Sequence, residues 1–360
     1  MFTILHTEAS NGWGGQEIRI MEESINMMKR GHRLIIAASE QSGIFTKAGK
    51  AGIEVLPADF YKKNPANVIK MKKIIDLVRP DIVNTHSSSD SWIASIAARL
   101  SKTRPKLIRT RHLSTPVSRS FLSRLIYDTL PDAVMTTGES IKERMVGHNK
   151  FRAGKIFSIP TGIDIRRFDP DTVKPVIPKK GFMIGSIGVL RDWKGHHYLL
   201  EAVPLISEII PDVFVYIVGD GPQYGNLREK MESLKLQDKV VFTGHREDIP
   251  EVLASLEVIV HPSYESEGIP QSILQAMAMK KPVVASDAGS ISEVVINNQT
   301  GLLISPKDPR SIADKVIELY NNPLTRVCFG NNARSFIEGK HTMEIMVEKI
   351  ERLYKHIMTE

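Results

Sequence analysis

The chain has 360 residues, of which 42% are apolar and 25% are charged, and its formal net charge is +7. This composition excludes disorder, collagen and coiled coil as the main architecture, and the length predicts two domains rather than one. The single cysteine, Cys328, excludes an internal disulfide or a cysteine-rich zinc site and favours a reducing compartment.

In the first half of the chain, short β-branched runs alternate with amphipathic stretches, which predicts βαβ units and a parallel sheet. A helix is predicted over Gln16–Lys29, where apolar residues recur at helical spacing. The predicted strands are 2–7, 33–38, 53–56, 81–85, 106–110, 133–136 and 156–159.

The second half repeats this alternation after an aperiodic segment, 169–180, that is rich in Pro, Asp and Lys and is typical of a linker. Its predicted strands are 182–187, 213–218, 240–243, 258–261, 283–286 and 302–304. We therefore predict an N-terminal domain over 1–168 and a C-terminal domain over 169–340. A final helix, 341–360, can pack on either domain, with the first as the preferred partner.

No apolar run approaches the roughly 20 residues that span a bilayer, and the N-terminus lacks the basic and apolar pattern of a secretory leader. We expect a cytoplasmic protein that contacts a membrane peripherally at most.

The positive charge is concentrated in the first half. Residues 1–170 hold 27 Lys and Arg against 16 Asp and Glu, whereas the remainder holds 21 against 25. The stretch Ser91–Tyr127 has eight basic residues and no acidic one. This asymmetry favours an anionic partner such as nucleic acid, anionic lipid or a phosphorylated substrate. The alternative is a solvated face that only aids solubility.

Candidate ligand-binding residues follow the predicted strands, because ligands of open parallel sheets bind beyond the carboxyl ends of the strands. Gly14 and Gly15 follow the first strand and open a helix, where free N–H groups attract phosphate, although a plain tight turn is equally compatible. His86 and His112 each follow a predicted strand. Each is either a functional residue or a packed, hydrogen-bonded residue of the fold.

In the second half, Arg191 and Lys194 follow the first strand and are placed to neutralise phosphate oxygens, unless they form only a solvated basic turn. The segment after the strand 258–261 is the most informative. Glu267 and Gly268 precede a helix that begins near Pro270. A carboxylate beside a phosphate-binding helix start is expected to face sugar hydroxyls, and the simpler alternative is a helix-dipole partner.

These residues carry a resemblance. The run 265–278, Glu-Ser-Glu-Gly-Ile-Pro-Gln-Ser-Ile-Leu-Gln-Ala-Met-Ala, followed by 281–289, resembles the donor-site block of the retaining GT-B glycosyltransferases, family 4. The likeness is specific over 182–305 and restricted to motifs in the first half. It implies an α/β fold of two Rossmann-like domains with parallel sheets facing a central cleft.

The resemblance also implies a function: transfer of a sugar, with retained configuration, from a nucleotide-sugar to a cell-envelope glycan or glycolipid such as a lipopolysaccharide core. A UDP-sugar is favoured, and a GDP- or ADP-sugar is possible. The implied contacts are Glu267 at sugar hydroxyls, Lys194 at the diphosphate and His112 near the transferred sugar. The remaining donor-binding candidates are Gly14, Gly15, Gly268, Ile269, Pro270, Gln275 and Arg246, with His86 as a further candidate.

The sequence departs from the family pattern at two positions. Gln275 stands where the family has the second Glu of its motif, and an amide offers one accepting oxygen where a carboxylate offers two. Val189 stands where the family has an arginine, and Arg191, two residues later, is expected to share its face and supply the charge.

We expect no metal and no cofactor, because the single Asp-x-Asp triplet, Asp169-Pro170-Asp171, lies in the linker. Fixed cations and backbone donors then stabilise the departing diphosphate. Three alternatives remain: a GT-B nucleotide-sugar epimerase, a nucleotide-sugar-binding protein without turnover and, least favoured, a nucleic-acid-binding protein. The last is disfavoured because few aromatic residues interrupt the basic stretch.

Overall fold

A computed structural model describes residues 1–265 and 267–359. The chain divides into two compact units. The first comprises residues 1–162 together with the C-terminal segment from Met343, and the second comprises Ile163–Thr342. Near the two ends of the second unit, the N–H of Ile163 donates to the carbonyl of His341 at 2.8 Å.

The first unit is built on a seven-stranded parallel sheet with the strand order β3-β2-β1-β4-β5-β6-β7. Its strands are β1 (Thr3–Glu8), β2 (Arg33–Ala38), β3 (Glu54–Pro57), β4 (Ile82–Thr85), β5 (Lys106–Arg111), β6 (Ala133–Thr136) and β7 (Ile156–Ser158). Its helices are α1 (Gly15–Lys29), α2 (Gly43–Lys50), α3 (Pro65–Val78), α4 (Ser88–Leu100), α5 (Phe121–Arg124), α6 (Glu139–Gly147) and, from the chain end, α13 (Met343–Thr359).

Helix α13 packs its apolar face on one side of this sheet. Val347, Ile350 and Tyr354 are almost fully buried in a cluster with Ile4 and Ile20. The helix therefore completes the hydrophobic core of the first unit, which would otherwise expose this apolar surface.

The second unit has a six-stranded parallel sheet with the order β10-β9-β8-β11-β12-β13. Its strands are β8 (Phe182–Ile187), β9 (Val213–Val218), β10 (Val240–Gly244), β11 (Val258–His261), β12 (Val283–Ser286) and β13 (Gly301–Ile304). Its helices are α7 (His196–Ile209), α8 (Tyr224–Ser233), α9 (Ile249–Ser255), α10 (Gln271–Ala278), α11 (Pro309–Asn321) and α12 (Pro323–Lys340).

Both sheets reverse their strand order at one place. In the first unit, β1 lies between β2 and β4, and in the second unit β8 lies between β9 and β11. Connections leave these central strand pairs toward opposite sides, which opens a crevice at their carboxyl ends. This topology confirms the predicted pair of α/β units with parallel sheets, and each predicted strand is present with its ends within about one residue.

Candidate functional site

In the second unit, two loops are hydrogen-bonded to each other at the carboxyl ends of β8 and β11. The backbone carbonyl of Trp193 accepts from the N–H of Tyr264 at 2.9 Å, and the Ser263 hydroxyl oxygen lies 3.2 Å from the same carbonyl. Gly195 has a φ of +70°, and a Cβ there would lie 2.0 Å from the carbonyl oxygen of Pro262. Glycine is therefore required at this close approach, which holds residue 194 beside the loop after β11.

This docking brings Lys194 and Glu267 into direct contact. The Lys194 Nζ lies 2.7 Å from the Glu267 Oε1, and the side chains are 18% and 10% exposed. The Ser263 hydroxyl donates to the same carboxylate oxygen at 2.6 Å. Burial raises the pKa of Glu267, but the charge and hydrogen bond of Lys194 and the hydrogen bond from Ser263 outweigh it and hold that pKa below its ordinary value. The site thus presents an ionised carboxylate and an ammonium side by side.

Two buried histidines lie next to this pair. Burial, reinforced by the Lys194 charge, lowers the pKa of His261 to about 3, and burial and His261 do the same to His196. Both rings are therefore neutral at pH 7, so the positive charge beside Glu267 comes from Lys194 and not from these histidines.

The backbone of Glu267 is held by a hydrogen bond from Ser290. Its carbonyl accepts from the N–H of Ser290 at 3.0 Å. Ile269 is packed into the core of the unit. Pro270, which the sequence suggested as the first helical residue, is the N-cap of α10, and the helix begins at Gln271. The first N–H groups of a helix have no intrahelical acceptor, so those following Pro270 can bind an anion.

The structure does not bring every predicted donor-site residue to the Lys194–Glu267 pair. The Arg191 guanidinium lies over the Trp193 ring, 5.1 Å from its centroid, and the Arg246 guanidinium is paired with the Asp248 carboxylate. Gln275 lies on α10, one turn beyond its first residue, and is half-buried.

In the first unit, Gly14 and Gly15 lie where β1 leads into α1. Gly14 is the N-cap, and its N–H donates to the Glu17 carboxylate at 2.9 Å. A Cβ at Gly15 would meet no atom within 4 Å. The fold of this unit therefore does not itself require glycine at position 15.

His86 and His112 lie on adjacent strand ends and are joined through a third histidine in a continuous row. His6 Nδ1 is 2.9 Å from His86 Nε2, and His86 Nδ1 is 3.0 Å from His112 Nε2. The strand order β1-β4-β5 places these rings side by side at the carboxyl edge of the sheet. Burial lowers the pKa of all three, and neighbouring charges lower those of His86 and His112 further, so the row is neutral near pH 7.

Sequence reasoning missed His6 and the acidic groups around the row. Glu8 and Asp90 are buried at the same sheet edge, and burial raises their pKa values to about 7 and about 6. The signal in the sequence was a polar run, His6-Thr7-Glu8, at the end of an otherwise apolar strand.

The basic stretch does not form one charged face. Arg109 is buried and hydrogen-bonded to Ser87 and Ser91, and Arg99 is paired with Asp132. At its C-terminal end, by contrast, Phe121 and Leu122 are 77% and 58% exposed on the short helix α5, and Arg119 and Arg124 nearby in sequence are exposed as well.

Residues 1–265 and 267–359 contain neither a cluster of potential metal ligands nor a membrane-spanning helix. No three or more His, Cys, Asp or Glu side chains there converge on a potential metal position. No helix in those ranges has the length and apolar character needed to traverse a bilayer.

Comparison with known families gives a match to each half of the chain. Residues 13–167 match the family model "Glycosyltransferase Family 4", and residues 168–336 match "Glycosyl transferases group 1". Together, the two matches account for nearly all of both units.

Two similar proteins are named as glycosyltransferases. The UDP-Gal:alpha-D-GlcNAc-diphosphoundecaprenol alpha-1,3-galactosyltransferase of Escherichia coli is 28% identical over 310 residues, which cover 81% of this chain and 79% of that protein. The capsular polysaccharide biosynthesis glycosyltransferase CapM of Staphylococcus aureus is 24% identical over 310 residues, covering 82% and 81%.

Solved structures share the fold over the whole chain. A glycosyltransferase from Rickettsia africae ESF-5 superposes with a TM-score of 0.88 at 24% identity, covering 99% of this chain and 98% of that one. Anabaena HepE, solved with UDP and glucose, has a TM-score of 0.86 at 20% identity, covering 99% and 100%. The chain therefore belongs to the glycosyltransferases of GT-B fold, with a first half of the family 4 type and a second half of the group 1 type.

Proposed function

We propose that this glycosyltransferase moves a sugar from a nucleotide-sugar to a cell-envelope glycan or glycolipid, with retention of configuration and without a metal. The observation that carries the proposal is the contact between Lys194 and Glu267 at the strand-order reversal of the second sheet. An ammonium suits the diphosphate of a donor, and an ionised carboxylate suits the hydroxyls of its sugar.

Each of the candidate residues has a separate role in the transfer. Breaking the bond between sugar and diphosphate builds negative charge on the departing phosphate, which Lys194 and the N–H groups at the start of α10 stabilise. Glu267 accepts hydrogen bonds from the sugar and is kept ionised for that role by Lys194. Gly15 and His112 keep the roles that the family resemblance implies, near the diphosphate and the transferred sugar. Retention follows from attack on the face that the phosphate leaves, with the leaving phosphate taking the acceptor proton.

A UDP-sugar is the favoured donor. The Escherichia coli relative is named for UDP-Gal, and Anabaena HepE was also solved with UDP-glucose. A relative from Mycobacterium tuberculosis is named as GDP-mannose-dependent, so GDP-sugars belong in the first screen.

The acceptor is proposed to be membrane-linked, at the inner face of the cytoplasmic membrane. The Escherichia coli relative is named for a diphosphoundecaprenol acceptor. In this chain, exposed Phe121 and Leu122 lie close in sequence to Arg119 and Arg124, a combination that suits an anionic bilayer surface. Liposome flotation should show binding that needs anionic lipid and weakens with salt. F121S/L122S should lose it, while L324S, which changes an 87% exposed leucine of the second unit, should keep it.

The function is tested by a thermal-shift panel of UDP-, GDP- and ADP-sugars, followed by transfer assays on lipid-linked acceptors. We expect one nucleotide-sugar to raise the melting temperature and its sugar to be transferred, with the same anomeric configuration, in the presence of a chelator. Donor turnover without acceptor would indicate an epimerase instead. Stabilisation without any transfer would indicate a binding protein, and loss of activity on chelation would contradict metal independence.

A further inference from the structure

The row of His6, His86 and His112 allows only two arrangements of its protons. Three neutral imidazoles carry three ring protons, and each of the two N···N contacts uses one of them. The third proton lies on an end of the row, either on His6 Nε2 or on His112 Nδ1. In the first arrangement every proton points from His112 toward His6, and in the second every proton points the other way.

The buried end of the row favours the first arrangement. His6 Nε2 lies 3.7 Å from the Oε1 of Glu23, and both side chains are fully buried. His6 Nε2 and Glu23 Oε2 have no hydrogen-bond partner among the described residues. A proton on His6 Nε2 would face the carboxylate favourably, whereas a lone pair there would face negative charge.

The groups around Glu23 keep it in the role of an acceptor. The Tyr354 hydroxyl, on α13, donates to Glu23 Oε1 at 3.0 Å, and burial raises the pKa of Tyr354 well above its ordinary value, so this hydroxyl stays protonated. Arg19, one turn earlier on α1, is buried, and its guanidinium and the Glu23 carboxylate attract each other.

The open end of the row lies at His112. This residue is partly exposed, and no hydrogen bond from a described residue reaches its Nδ1. Arg19, Arg109 and Arg111 face the ring and, after burial, oppose its protonation. His112 thus stays neutral and offers either an N–H or a lone pair outward.

We propose that Glu23, acting through His6 and His86, holds His112 as the Nε2–H tautomer, so that Nδ1 presents a lone pair to a hydroxyl of the bound ligand. Glu23, His6 and His86 are positioning residues. That the hydroxyl belongs to the donor sugar rests on the proposed function. The assignment makes His112 a hydrogen-bond acceptor. It also extends the site into the unit through His86 and His6, whose ring centroids follow that of His112 at successive separations of 5.3 and 5.1 Å.

The tautomer is measured directly by long-range ¹H–¹⁵N correlation on the full chain labelled with ¹⁵N-histidine, with His112 identified by the signals lost in H112Q. At neutral pH, we expect protonated Nε2 and unprotonated Nδ1 for about nine-tenths of the population or more. A protonated Nδ1, or an even mixture, would overturn the proposal without any variant.

Glu23→Gln tests the cause. The glutamine amide can donate to His6 Nε2 while its oxygen still accepts from Tyr354, so the row should reverse and His112 should become the Nδ1–H tautomer. E22Q makes the same chemical change one position away and should leave the tautomer as it is. An unchanged His112 signal in folded E23Q would refute the claim that Glu23 determines the tautomer of His112.

Should E23Q not fold, H86F serves instead. It removes both nitrogens of the middle ring and should leave His112 without a tautomer preference, whereas a retained preference would overturn the proposal. In transfer assays, E23Q should lose about tenfold in kcat/KM for the nucleotide-sugar, with free-nucleotide affinity unchanged. If His112 is the Nε2–H tautomer but no sugar is transferred, the tautomer proposal holds and the proposed function is refuted. If sugar is transferred but His112 is the Nδ1–H tautomer, the proposed function holds and the tautomer proposal is refuted.

Discussion

Replacing Lys194 with alanine removes the cation that we assign to the donor diphosphate. The ammonium lies 2.7 Å from Glu267 Oε1 in a corner where both side chains are mostly buried, so water would replace it poorly. Losing one pre-organised group that stabilises transition-state charge typically costs about 2.7–4 kcal/mol, or ~10²–10³ in rate. The substitution also removes the main group that holds the pKa of Glu267 down, so that pKa should rise.

The assay is steady-state sugar transfer, with kcat and KM measured over a pH series. We expect K194A to lose about 10²–10³ in kcat, and the acidic limb of its pH profile should move to higher pH. K315A is the matched control, because Lys315 pairs with Glu318 at the same 2.7 Å, but on the outer helix α11. A loss below about tenfold in folded K194A would remove Lys194 from the diphosphate site.

Three further substitutions test separate parts of the structure. Gly15→Ala should leave the melting temperature unchanged, since a Cβ there meets no protein atom, yet weaken nucleotide binding about tenfold in calorimetry; unchanged affinity would contradict close approach of phosphate. Gly195→Ala should lower the free energy of unfolding by about 1–3 kcal/mol or more, because of its φ of +70° and the clash with Pro262; unchanged denaturant unfolding would refute the close packing. Burial and the Asp90 charge raise the pKa of Glu8 from 4.5 to about 7, so the folded state binds the extra proton and its stability falls as pH rises through that window. The stability of the wild type relative to E8Q should therefore fall by about 1.4 kcal/mol per pH unit between those values, and parallel pH profiles would contradict this.

The fold was predictable because its strands are buried on both faces. Segments such as Arg33–Ala38 and Val283–Ser286 are short β-branched or aliphatic runs between amphipathic stretches, and both form strands with the predicted ends. The aperiodic segment 169–180 likewise contains no helix or strand. Local pattern was sufficient here, since burial in a parallel sheet leaves a local signature.

The site was predictable only in part, because side-chain partners depend on strand order. Glu267 and Lys194 were found from their loops, and the structure places them in contact. Their roles stay predictions. His6 was not predicted as a site residue, because the local sequence does not show that β1 lies beside β4. That strand order places His6 next to His86. Arg191 was expected to share a face with Val189, but its guanidinium lies over Trp193 instead, since the chain turns at Asp192–Lys194.

The division of labour between Lys194 and Glu267 is tested most directly by titrating the nucleoside diphosphate and its sugar conjugate into wild type, K194A and E267Q. Lys194 should matter for both ligands, so K194A should weaken both by a similar factor. E267Q should bind the free nucleotide normally and lose the additional affinity that the sugar provides. Equal weakening of both ligands in E267Q, or normal nucleotide binding by K194A, would contradict the account.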